Sequence, residues 1–109
     1  MKRGDLVSVT IAGDYGKPRP ALIVQADDYR EHPSVTVLLL TSEVHDWPLF
    51  RVSVEPNRIN GLKKRSQIMV DKAVTVPRRK IGRRLGEVDA STMGAVSTAL
   101  SNFLGLSPP

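Results

Sequence analysis

Arg19 lies between Pro18 and Pro20, so its backbone is held extended. A guanidinium on such a frame suits phosphate contact or the stabilisation of charge in a transition state. Thr41 and Ser42 follow the apolar run Val37–Leu40 and set two hydroxyls at a strand-to-loop junction. By residue type alone, each feature has a structural explanation as well. His32 and His45 are the only histidines, and both fall in loop sequence. A paired-imidazole ribonuclease would need the fold to bring them together. His45 and Asp46 form a lone pair of potential ligands, not a metal-binding spacing, and a solvated loop accounts for them. The chain has no cysteine, which excludes disulfides, thiolate metal sites and cysteine nucleophiles. Gly13 to Gly16 is not a phosphate cradle, because a strand rather than a helix follows it. No metal or cofactor is expected.

Charge singles out a second region. The chain carries +5 overall, with a pI near 10.0. Between Gly61 and Gly86 stand Lys63, Lys64, Arg65, Lys72, Arg78, Arg79, Lys80, Arg83 and Arg84 against Asp71 alone. That segment is +8, so the remainder is −3. Two readings stay open: a solvated face on an edge strand, where cations block aggregation, or a footprint for phosphates or an acidic peptide. Trp47, in the loop after Thr41, is either a platform for a base or an apolar residue at the core edge or facing a protein partner.

The elements that must position these groups are short strands. Asp5–Ile11 alternates as a half-buried strand, and Pro20–Gln25 reads as a second. Ala12–Pro18 between them is turn material, rich in glycine. Val35–Leu40 is apolar on both faces and therefore central. Phe50–Glu55 alternates again, and Asn60-Gly61 marks a tight turn. Ser66–Val70 and Lys72–Val76 are β-rich, with Asp71 between them. Ile81 and Leu85 anchor the basic stretch Pro77–Gly86. Asp89 is a good N-cap for a helix whose face is Met93, Val96, Leu100 and Phe103. Gly94 within it marks tight packing or a tolerated weakness. Gly105 fits the helix stop, and Pro108 and Pro109 cannot continue it.

With 109 residues and 40% hydrophobic content, this is one domain, residues 1–109, able to bury its own core. The order points to a mainly β protein with α (α+β): a small SH3-like β-barrel, closed or partly open, with a C-terminal helix. No secretory signal or membrane-length apolar run is present, which points to a soluble cytoplasmic protein without membrane contact.

Five short motifs in register carry a family resemblance. Arg3-Gly4-Asp5 opens the first strand, and Lys17–Val24 begins the second. Leu40-Thr41-Ser42 ends the third, Gln67–Asp71 opens a later one, and Ile81–Gly86 precedes the helix. From Lys2 to about Leu106 the chain resembles the MazF/PemK family of endoribonuclease toxins from bacterial toxin–antitoxin modules. The resemblance implies an SH3-like homodimer that cleaves single-stranded RNA at a short sequence without metal, restrained by a cognate antitoxin. It implies attack by the ribose 2′-OH, leaving a 2′,3′-cyclic phosphate and a 5′-OH. Arg19 matches the arginine that stabilises the phosphorane-like transition state and assists proton transfer. Thr41 matches the hydroxyl on the scissile phosphate. Lys17, Ser42, His45, Trp47, Lys63, Lys64, Arg78 and Arg79 are the expected RNA contacts. Some relatives carry an arginine two residues before the aspartate at Asp71, where this chain has Met69, and a histidine in the first loop, which is lacking here. The arginine–threonine version of the site therefore fits, and the arginine–aspartate–histidine version does not. A related toxin poisons DNA gyrase, but the end of this chain lacks the C-terminal tryptophan that marks it. A gyrase-type poison and a non-catalytic RNA-binding barrel remain as alternatives.

Overall fold

A computed structural model describes residues 1–12 and 16–106. The expected turn at Gly13–Tyr15 and the final prolines, Pro108 and Pro109, lie outside the described residues. The elements are β1 (Asp5–Thr10), β2 (Pro18–Ile23), a 3-10 turn (Asp27–Tyr29), β3 (Ser34–Thr41), β4 (Arg51–Val54), β5 (Ser66–Pro77), a second 3-10 turn (Arg78–Lys80), β6 (Ile81–Glu87) and α1 (Ala90–Phe103). The strands form one antiparallel sheet in the order β4-β5-β3-β2-β1-β6. The expectation of a barrel is met in its partly open form: β4 and β6 are edges and do not pair with each other.

Strand periodicity of two gives the sheet two apolar faces. Leu6, Leu22, Leu38, Leu40, Ile68 and Val70 are buried with Val54, Val88 and Val96, so α1 packs on this face. Val7, Val9, Ala21, Ile23, Val35 and Val37 form a second buried cluster. β3 contributes to both clusters, as its doubly apolar sequence predicts.

β5 is one strand rather than two. Leu38 pairs with Ala73 but Leu40 pairs with Ile68, so five steps of β5 lie against two of β3. The three extra residues form a bulge around Asp71, and the strand bends there instead of ending. β6 is a strand that the basic composition of Pro77–Gly86 concealed. It pairs with β1 from Asp5↔Glu87 to Val9↔Ile81.

The open side of the sheet is bridged by the turn after β4. Glu87 N–H donates to the Ile59 carbonyl at 3.0 Å. A Cβ at Gly61 would collide with the Leu85 carbonyl, and one at Gly86 with the Ile59 carbonyl. Gly61 also takes φ 68°, as expected for the turn. Its neighbour Asn60 is buried as a hub: its Oδ1 accepts from Asn57 N–H and Leu62 N–H, and its Nδ2 donates to the Glu55 carbonyl.

α1 begins and ends as its sequence predicts. The Asp89 carboxylate accepts the Thr92 N–H at 2.7 Å. Gly105 has φ 70°, and Leu106 N–H donates to the Ser101 carbonyl at 2.8 Å, a Schellman closure. Val96 is buried and Met93 and Leu100 pack on the core, but Phe103, in the last turn, is 53% exposed and not part of it. Gly94 faces open space, so it is a tolerated weakness. At the other end of the chain, Arg3 Nη2 donates to Ser97 Oγ at 2.7 Å and Asp5 accepts the Lys2 N–H at 2.9 Å. The Arg3-Gly4-Asp5 motif thus fastens β1 to the helix. Among the described residues, no helix is long and apolar enough to cross a membrane.

Candidate functional site

β2 and β3 pair from Ile23↔Val37 to Ala21↔Leu39, and there the ladder stops. The next residue, Pro20, has no N–H to donate. Continuing the same register by two residues sets Arg19 opposite Thr41. A cleft of about 410 Å³ opens there, between this end of the two strands and the segment that leads into β5. Arg19, Pro20, Leu40, Thr41 and Ser42 line one side, and Leu62, Lys63, Lys64 and Ser66 line the other. Pro18 and Pro20 lie within β2 itself, so Arg19 projects from paired strand, opposite Val9 of β1.

The polar groups of the cleft are partly committed. Thr41 Oγ1 accepts the Glu43 N–H at 3.1 Å, which leaves its own hydrogen to donate to an anion. Ser66 Oγ donates to the Lys64 carbonyl at 3.0 Å and so holds the lysine-bearing loop against the mouth of the cleft. Lys63 and Lys64 are exposed. The result is a shallow trough with three cations and adjacent hydroxyls, and no carboxylate or imidazole among its described lining residues. It can bind a phosphodiester and stabilise added negative charge on it.

The other expected contacts divide. His45 and Trp47 line a neighbouring cavity of about 360 Å³ with Arg51, Ser53, Arg65 and Gln67. Their rings stack at 4.0 Å with planes 6° apart. Lys17 is exposed just before β2 and does not line either cavity. Arg78 lies at the opposite end of β3: its Nε and Nη2 both donate to the His32 carbonyl, at 3.0 and 2.8 Å, beside the Ser34↔Pro77 pair. Arg79 is next to it in the same exposed turn. β3 is eight residues long, so this end is roughly 23 Å from Thr41. The structure therefore does not bring Arg78 and Arg79 to the cleft with Arg19. His32 and His45 are separated in the same way. Asp71 sits in the β5 bulge with Oδ2 3.6 Å from Lys72 Nζ, and Met69 is buried; neither lines the cleft. No group of three or more potential metal ligands occurs among the described residues.

The sequence does not single out Ser66 at the cleft, nor Arg51 and Gln67 at the neighbouring cavity. Arg51 held a polar place in an alternating strand, and Gln67 was a lone amide in a β-rich run. Neither residue type announces a site at a strand position.

Residues 2–104 match the PemK-like, MazF-like toxins of type II toxin–antitoxin systems. The chain belongs to that family. A probable MazF endoribonuclease of Mycolicibacterium smegmatis is 41% identical over 107 residues, which is 97% of this chain and 98% of that one. A mycobacterial endoribonuclease solved in complex with its cognate antitoxin superposes with a TM-score of 0.84, 27% identity, and coverage of 100% of this chain and 99% of that chain. The Mycobacterium tuberculosis toxin MazF-mt6 gives 0.81 at 28% identity, covering 95% of this chain and 99% of its own. The open six-stranded sheet with one C-terminal helix is thus the PemK/MazF toxin fold, and the Arg19–Thr41 cleft is a feature of a chain in this family.

Proposed function

We propose that this endoribonuclease toxin cuts single-stranded RNA in the Arg19–Thr41 cleft. The observation that carries the reading is the shared cleft: a Pro-flanked arginine and a strand-end threonine line it together just past the end of the β2–β3 ladder. The scissile phosphate sits between them, with Lys63 and Lys64 along the backbone. The ribose 2′-oxygen forms a bond to phosphorus as the bond from phosphorus to the 5′-oxygen breaks. The products are a 2′,3′-cyclic phosphate and a 5′-OH. Charge gathers on the phosphoryl oxygens, and Arg19 donates to them while Thr41 donates its hydroxyl hydrogen. Arg19 stabilises that charge through its fork of N–H donors, and a proton leaves the 2′-OH as the new bond forms. Water accepts that proton and returns one to the departing 5′-oxygen. No metal is required for these steps.

The chain works as a cytoplasmic homodimer and is restrained by a cognate antitoxin. An acidic segment of that partner would cover the cations of the cleft; the support is the family and the antitoxin-bound relative. Incubating the purified protein with long single-stranded RNA in excess EDTA tests the reading. Discrete fragments ending in cyclic phosphate and 5′-OH are expected. Retarded but intact RNA means a binding module instead, and intact, unretarded RNA with topoisomerase inhibition means a gyrase-type poison.

A further inference from the structure

The loop from Ser42 to Phe50 joins β3 to β4 and contains no regular secondary structure from Glu43 to Trp47. Its backbone polar groups need partners from elsewhere. Gln67, 3% exposed, supplies them. Its Oε1 accepts the His45 N–H at 3.0 Å and an Arg51 Nη1 hydrogen at 2.9 Å. Its Nε2 donates to the His45 carbonyl at 2.8 Å and to Ser53 Oγ at 3.2 Å. One amide has two acceptor sites and two donor hydrogens, and all four are used. The His45 backbone is thus paired to a side chain as one strand is paired to another. A fully satisfied buried amide fixes its neighbours in one arrangement.

What Gln67 fixes is a set of flat surfaces. The His45 ring stacks on Trp47, and the Arg51 guanidinium, held by the same amide and by the Glu43 carbonyl at 3.1 Å, lies 4.8 Å from the centre of Trp47. These groups border the cavity of about 360 Å³. Thr41 lines the cleft and Gln67 lines this cavity, and the two are paired across β3 and β5 with their side chains on one face, so the spaces adjoin. An unstacked base of single-stranded RNA is held by aromatic or guanidinium planes and read along its edge.

We infer that the His45–Trp47–Arg51 cavity is the station for a base next to the cut, and that Gln67 is the positioning residue that sets which sequence is cut. The inference rests on the cleavage assigned to the Arg19–Thr41 cleft. Gln67 touches no RNA; it acts by holding His45 and Arg51. Its loss would free the loop and blur the choice of one base, while Thr41 across the strand pair, held by the β3 backbone, keeps its place in the cleft.

The test is cleavage, in EDTA, of a single-stranded RNA pool randomised around the cut, with product sequencing and steady-state kinetics on the preferred site. Wild type is expected to favour particular bases at defined positions, and Arg19→Ala to cut every sequence about 10²–10³ more slowly. Gln67→Met should lose about tenfold of the discrimination at one position only, with the loss in kcat/KM appearing as a raised KM. His45→Ala should lose discrimination at the same position. Gln67→Glu, which keeps the acceptor and loses both donors, should fall between. A merely structural Gln67 would lower the melting temperature and slow all sequences alike. The inference is overturned if folded Gln67→Met keeps the wild-type profile, or if His45→Ala alters a different position. Should Gln67→Met fail to fold, Gln67→Glu and His45→Ala decide in the same way. Wild type that cuts without preference sinks this inference alone; wild type that cuts nothing sinks the functional reading beneath it.

Discussion

The two ends of β3 are both rich in cations, yet they are built for different work. At the Thr41 end, Arg19, Lys63 and Lys64 surround an open trough beside hydroxyls. At the Ser34 end, the Arg78 guanidinium is spent on the His32 carbonyl and its backbone N–H on the Pro33 carbonyl. One contiguous run of charge in the sequence has therefore been divided in space, partly toward a substrate and partly into fastening a loop. Net charge located the region; the cleft that Lys63 and Lys64 line and the carbonyl that Arg78 fastens separate the two uses.

The largest expected effect is at the trough. Arg19→Ala should lower the cleavage rate by about 10²–10³, or ~2.7–4 kcal/mol in the barrier, in a protein that still folds. Near-normal cleavage by the folded variant would erase the distinction between the two ends. Arg19→Lys should recover little, because an ammonium does not reproduce the guanidinium fork. Thr41→Val should cost about tenfold in single-turnover rate at saturating RNA, the scale of one hydrogen bond to a charged group. If binding weakens and the saturated rate holds, Thr41 docks the substrate and has no part in the step.

Charge neutralisation compares the ends directly. Replacing Lys63 and Lys64 by glutamine should flatten the plot of log K against log salt by about 1.4, the value for two lost phosphate contacts on a single strand. Replacing Arg78 and Arg79 should leave that slope alone and lower stability instead, by about 1 kcal/mol for the lost bonds to His32. An equal change of slope from both pairs would show that RNA runs along the whole of β3.

The smallest effect lies outside both ends. The Asp89 carboxyl is held below its ordinary value of 3.8 because it accepts the Thr92 backbone N–H, with the Thr92 hydroxyl adding to the effect. A depressed folded pKa means that the stabilisation is complete above the unfolded value and is lost as pH falls through the folded one. The melting temperature of Asp89→Ala should lie below wild type by a constant amount from pH 5 to about pH 8 and approach it below about pH 4. RNA cleavage should not change.

The elements that could be read in the sequence are those fixed by local pattern. Asp89 and Gly105 mark the ends of α1 because capping is decided within a few residues. The double apolar pattern of Val35–Leu40 revealed an interior strand. β6 escaped because two glycines and three arginine or lysine neighbours give it little β-propensity; pairing with β1, more than seventy residues earlier, makes it a strand. β5 was divided at Asp71 because a bulge looks like a break when the partner strand is unknown. Arg19 and Thr41 came from family resemblance, and their juxtaposition needed the β2–β3 register. Gln67 opens one of the family motifs, but its role is hidden in the sequence: its partners lie up to 22 residues away, and no local pattern encodes them.

The contact of the Ile59–Gly61 turn with Leu85–Glu87 has a consequence for crowding. An open sheet offers two unpaired rims to any neighbouring chain, and such rims seed intermolecular strands. Here one rim, β4, is only four residues long. The other is shielded where the turn meets Gly86 and Glu87, and farther along it carries Arg83 and Arg84. Because the backbones meet so closely, only hydrogen fits on the two glycine α-carbons, and the shield lies flat against the strand. The sheet can thus remain open enough to keep a cleft at the ends of two of its strands without inviting another sheet to continue it.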